Sequence, residues 1–126
     1  MGAQNFDGLK AFTAAETISR YRLVKLDSSG NIVNATLGDR NLLGVAQDDV
    51  TSGNSTTVRI LNSGGTVKLY CERPVNAGNH LLYPTYNGMV TSGALSGVST
   101  FGTGFTALET ITQGGLLEAV RNTHNQ

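Results

Sequence analysis

The chain reads as all-β, a small β-barrel or β-sandwich of about eight or nine short antiparallel strands. Three observations predict this. Segments of five or six residues rich in Val, Leu, Ile or Thr recur along the sequence, most plainly at 42–46 (LLGVA), 56–61 (TTVRIL) and 66–71 (TVKLYC). Gly/Ser/Asn clusters at 51–55 and 62–65 cut these segments apart, supplying positive-φ residues and side chains that bond their own backbone. There is also an internal echo. Residues 18–33 align with 75–90, and a Gly-apolar-small segment follows each, at Gly44-Val45-Ala46 and Gly104-Phe105-Thr106. A duplication of this kind suits a closed or nearly closed barrel in which two similar meanders complete each other's edges. Residues 42–71 are expected to form the central three-stranded meander.

Taken in order, residues 1–13 form an N-terminal arm ahead of a single β domain over 14–122. Phe6, Leu9 and Phe12 are spaced by three, so a turn or two of helix would put them on one face; an extended arm fits equally well. The three pack on their own domain or anchor into a neighbouring subunit. Residues 17–19 lead into a strand over 21–26, and 27–31 (DSSGN) is a hairpin turn with Gly30 at a positive-φ position. Residues 32–35 return, 37–41 turn again, and the central meander follows. Beyond it, 72–79 connects, with Pro74 marking a strand end. Residues 80–84 and 88–91 make a hairpin over 85–87. The Gly/Ser/Thr stretch 92–104 is a long surface loop with Leu95, Val98 and Phe101 as anchors. Residues 105–111 and 116–121 are the last strands, and 123–126 is a frayed tail.

Composition narrows the function. The chain has 126 residues, nine basic and nine acidic, so no net field draws it to nucleic acid or an anionic membrane. Only 14% of residues are charged, against about 25% in typical soluble domains; such a surface suits coverage by neighbours in an assembly. The single Cys71 excludes an internal disulfide and matches a reducing site of synthesis. The start lacks the basic and apolar regions of a signal peptide, and Phe6 stands where a myristoylation signal wants Ser or Thr. No apolar run approaches the length of a membrane helix.

No catalytic or cofactor pattern emerges, and the expectation is a non-enzyme with no cofactor and no metal. Asp48 and Asp49 are adjacent, so on a strand they point to opposite faces; a turn entry is their expected use. His124 lies in the tail and His80 opens a strand. Cys71 ends an apolar strand as a small core residue. Gly64-Gly65 and Gly102-Thr103-Gly104 lack phosphate-loop spacing, and Lys25 and Lys68 lie within strands rather than at the hairpin tip a lipoyl-type carrier needs. Arg20-Tyr21-Arg22 is the one basic–aromatic cluster, read as a surface strand able to meet acidic groups of a protein partner. The candidate protein-interface residues are therefore Phe6, Leu9, Phe12, Arg20, Arg22, Leu95 and Phe101.

Residues 17–69 (TISRYRLVKLDSSGNIVNATLGDRNLLGVAQDDVTSGNSTTVRILNSGGTVKL) resemble the small capsid cement, or head decoration, proteins of tailed bacteriophages. The order LVKLD, then Gly30 to Val33, Gly38-Asp39, Gly44 to Val50 and Thr57 to Lys68 carries the likeness, and VNAGNHLLYPTYNGMVT continues it. The resemblance implies a virion protein made in the host cytoplasm and seated on the outer capsid surface. There it would clamp adjacent major capsid protein subunits, often as a homotrimer, with no active site. The competing reading is a carbohydrate- or receptor-binding β module; an enzyme comes third.

Overall fold

The computed structural model describes residues 8–36, 39, 41–61, 66–78, 80–81, 83–84, 87–91 and 105–121, and among these described residues there are eleven strands and no helix. They are β1 (Leu9–Thr13), β2 (Leu23–Leu26), β3 (Ile32–Asn34), β4 (Gly44–Ala46), β5 (Ser55–Ile60), β6 (Thr66–Cys71), β7 (His80–Leu81), β8 (Tyr83–Pro84), β9 (Val90–Thr91), β10 (Phe105–Ala107) and β11 (Gly115–Arg121). The all-β expectation holds. Phe6, Leu95, Phe101, the 92–104 loop and the tail lie outside the described residues.

The strands form two sheets, each curled back on itself. The first runs β1-β5-β4-β2-β3, antiparallel throughout. Ala14, just past β1, bridges Ile32 of β3 in parallel, which brings the first strand against the last. Asn34 secures this closure: its side-chain amide donates to Glu16 Oε2 (2.9 Å) and to the Thr17 carbonyl (3.0 Å). The second sheet runs β7-β10-β11-β6-β9-β8. Since β7 and β8 follow one another in the chain, this order is also a ring, and a parallel Cys71–Val90 pairing closes it. Closure leaves each small lobe with little unpaired edge.

The two lobes are copies of one another in register. Leu9–Arg59 in the first corresponds to Thr66–Val120 in the second, Gly44–Ile60 to Phe105–Arg121, and Leu23–Val45 to His80–Thr106. The closing bridges Ala14–Ile32 and Cys71–Val90 correspond as well. Outside the strands, Ile18 and Val50 exchange two backbone hydrogen bonds, and so do Val75 and Ile111. The Tyr21 N–H donates to the Ala46 carbonyl at 2.7 Å, as the Gly78 N–H does to Ala107 at 2.8 Å. The sequence echo is thus a real duplication, with two corrections. Past Val24 the offset grows by one, so that Ile32, not Val33, corresponds to Val90. Gly44 corresponds to Phe105, not to Gly104, and in a period-two structure that one-residue slip reverses every face.

Burial follows the same equivalence. The first lobe encloses Ala14, Ile18, Val24, Ile32, Ala46, Val50 and Val58, with Phe12, Leu43 and Ile60 packed against them. The second holds Cys71, Val75, Val90, Ala107 and Ala119 at matching positions, with Ile111 alongside, and adds Leu69, Phe105 and Leu117. Leu23, Ala35, Val45 and Leu61 of the first lobe belong to that second cluster too. They tie the lobes into one apolar body.

Several expectations are corrected. The 42–71 stretch is not a meander: β4 and β5 pair, but β5 takes β1 as its other neighbour and β6 crosses to the second sheet beside β11 and β9. The halves do not complete each other's edges, because each closes on itself. The strand expected over 21–26 begins only at Leu23, since Tyr21 sits in the left-handed region (φ 63°). β10 stops at Ala107, and Ile111 returns only as a bridge to Val75. The arm expected over 1–13 is, from Leu9 to Thr13, a strand of the first barrel, because pairing with β5 satisfies its backbone and buries one side of Phe12.

That last point changes what truncation should do. Removing residues 1–13 deletes β1 and uncovers β5, so the shorter protein should unfold at markedly lower urea or be insoluble. A midpoint equal to that of the full chain would refute this role for β1.

Candidate interaction surface

A left-handed turn followed by an extended strand carries Tyr21, Arg22 and Leu23 of the first lobe onto the second. The Tyr21 carbonyl accepts from the Tyr70 N–H (3.1 Å) on β6, and the Leu23 N–H donates to the Gly88 carbonyl (2.9 Å). The Gly88 N–H donates to the Ala35 carbonyl at 2.9 Å. Between these bonds the Arg22 guanidinium lies 4.5 Å over the Tyr70 ring, and its Nη1 donates to the Asn87 carbonyl at 3.3 Å. A cation–π contact in a partly desolvated seam contributes about 1 kcal/mol. Arg22 is therefore a bolt between the lobes, not the solvated arginine of a surface strand.

Arg20 differs. It is exposed, its guanidinium lies 4.5 Å over the Tyr21 ring, and its Nε donates to the Gln47 carbonyl at 3.1 Å. Its backbone N–H is capped by Asp49 Oδ1 at 2.7 Å, so Asp49 serves the chain reversal. Leu9 and Phe12 are three apart on a strand and point to opposite faces. Phe12 packs against the first-lobe core, while Leu9 keeps 40% of its surface exposed on the face shared with Ala11 and Thr13. Of the seven candidate interface residues, Leu9 and Arg20 thus present exposed surface, Phe12 and Arg22 turn inward, and Phe6, Leu95 and Phe101 fall outside the described residues.

Two surface features were not singled out from the sequence. Leu116, 44% exposed, stands opposite Tyr70 across β11 and β6, with Leu108 also exposed. Only the strand pairing shows this, since alternation alone does not tell which face of β11 is covered. The second feature is an open groove of about 430 Å³ lined by Thr17, Ser19, Asp49, Thr51, Asn54 and Ser55 over Ile18 and Val50. Its lining mixes hydroxyl and amide groups with the Asp49 carboxylate and the apolar Ile18 and Val50, and none of these residues is aromatic. Among the described residues no three His, Cys, Asp or Glu side chains converge as metal ligands would.

Cys71 is fully buried in the second cluster, and burial pushes its thiol up to about 12. It stays protonated at neutral pH and out of reach of reagents. Alkylation of the folded protein should be negligible and should become complete in denaturant; rapid labelling without denaturant would show that the second lobe opens locally.

No protein-family model matches the sequence, and no curated protein matches it either. Among solved structures, the chain is similar in fold to the head fiber gp8.5 N base of bacteriophage phi29. The TM-score is 0.71 at 17% identity, covering 94% of this chain and 96% of that one. The likeness takes in both lobes, so the shared feature is the whole architecture.

Proposed function

We propose that this chain is a structural protein of a tailed-phage head, binding the outer face of the capsid and clamping adjacent major capsid protein subunits. One observation carries the reading: end-to-end likeness of fold to the base of a head fiber, in a chain whose sequence independently resembles capsid cement proteins. The physical character agrees. Charge is sparse, and Leu9, Leu108 and Leu116 present apolar surface of the kind that anchors protein interfaces. Binding the mature shell alone would stabilise that form by mass action, repeated over many sites.

The test is co-sedimentation of the purified protein with mature capsids and with unexpanded precursor shells of its source. Saturable binding to the mature form is expected, and its copy number reads out the assembly on the head, a homotrimer under this proposal. Binding to neither shell refutes the proposal. The hydroxyl-lined groove keeps a carbohydrate-binding module as the second reading, which a glycan array would favour by clear sugar binding without capsid affinity.

A further inference from the structure

The junction between the lobes is built from two different surfaces. One presents the Tyr21 carbonyl and the Leu23 N–H; the other presents the Tyr70 N–H and the Gly88 carbonyl. The lobes repeat in register, so each carries both surfaces, and the chain uses only one of each. In the second lobe the counterparts of Tyr21 and Leu23 are Gly78 and His80. In the first lobe the counterparts of Tyr70 and Gly88 are Thr13 and Gly30, the latter at the same place in a turn of the same length and also left-handed (φ 84° against 76°).

Among the described residues nothing packs on Gly30 or Gly78 as the first lobe packs on Gly88. A Cβ at Gly88 would meet the Leu23 carbonyl oxygen at 2.4 Å and the Arg22 Cβ at 2.8 Å, whereas one at Gly30 or Gly78 would meet nothing within 4 Å. Thr13 is exposed. The Ile60 N–H bonds the Gly8 carbonyl, and the Ala14 N–H bonds the Asn54 carbonyl. In an antiparallel ladder this phase turns the backbone groups of Ala11 and Thr13 away from β5.

We propose that two copies of this chain dock head to tail, with Gly78 and the His80 backbone of one copy seated on Thr13 and Gly30 of the next. The occupant is a second copy because the chain already holds this surface against its own counterpart. The Gly78 carbonyl would take the Thr13 N–H as Tyr21 takes Tyr70, and the His80 N–H would meet the Gly30 carbonyl as Leu23 meets Gly88. Such a contact is heterologous: repeated, it closes into a ring of copies or runs on as a chain. It is also weaker than the junction inside the chain. His80 and Thr106 stand where Leu23 and Val45 are buried, and separate copies lack the effective concentration that a covalent connection gives. Self-association is therefore reversible and concentration-dependent.

The inference does not rest on the capsid reading, and its test uses the full chain without capsids. Sedimentation velocity over a concentration series should show association, and Ser29→Trp should weaken it about tenfold or more with the unfolding midpoint unchanged. Under mild oxidation, a mixture of His80→Cys and Ser29→Cys proteins should give disulfide-linked dimers, while neither protein alone should; Cys71 is buried and takes no part. A protein that stays monomeric throughout, or variants that each cross-link as readily alone as mixed, would overturn the proposal.

Discussion

Gly88→Ala should lower the unfolding free energy by about 3 kcal/mol and loosen the two lobes from one another. Two costs combine. A residue with a Cβ in the left-handed region loses about 1–2 kcal/mol, and Gly88 has φ 76°. The new methyl would also lie 2.4 Å from the Leu23 carbonyl oxygen and 2.8 Å from the Leu23 nitrogen, both backbone atoms that cannot swing aside. Overpacking of this sort adds about 1–3 kcal/mol. The duplication supplies a control, since Gly30 occupies the equivalent turn with φ 84° and open space around it. Gly30→Ala should therefore lose only the conformational part, about 1 kcal/mol. Urea unfolding of the two variants separates the terms: their difference is the contribution of the lobe contact. Equal losses would mean that the first lobe does not press on Gly88 in solution.

Much of this architecture was legible in the chain, and the limits have physical reasons. Gly30 in its turn was readable because local chemistry decides it: the Asp27 carboxylate accepts the N–H groups of Ser29 and Asn31 at 2.9 and 3.0 Å. The strands that hold Val45, Val58 and Leu69 follow from β-forming runs. What pairs with what is a different matter. β5 and β6 are separated by a short Gly-rich stretch, and that spacing fits a hairpin as well as a crossing between sheets. The choice is made by β1 and β11, which lie far off in sequence. The closing contacts Ala14–Ile32 and Cys71–Val90 leave no pattern of their own, so two rings could not be told from one.

The candidate site was legible in the same uneven way. Arg20-Tyr21-Arg22 stood out by composition, but its division did not. The left-handed Tyr21 sends Arg20 outward and Arg22 into the seam, and nothing in a Tyr announces that backbone. The duplication held the clue, because the equivalent residue is Gly78, the type that adopts positive φ without strain. Tyr70, Asn87 and Gly88, the receiving half of the junction, carry only strand and turn signals in the sequence. Their partners lie some fifty to sixty-five residues away in the chain, beyond any local pattern.

Phe105→Ala should be the most damaging core truncation, because the lobes treat this position oppositely. In the first lobe it is Gly44, where a Cβ would meet the Arg59 carbonyl oxygen at 2.2 Å, so backbone approaches backbone and no side chain fits. In the second lobe Phe105 is 1% exposed and among the largest fully buried side chains. Removing it leaves a void in the cluster that also holds Leu69, Leu117, Val90 and Ala119. Phe-to-Ala changes in such cores cost about 3–5 kcal/mol, a large share of the roughly 5–15 kcal/mol that holds a domain folded. The loss should not stay in one lobe. Leu23 and Val45 of the first lobe pack into that cluster, so denaturant should still melt the variant in one transition at a lower midpoint, with Cys71 becoming reactive along the same curve. Two separated transitions would show that the lobes fold independently and that the shared cluster does not couple them. A loss below about 1 kcal/mol would mean that the second barrel collapses around the gap.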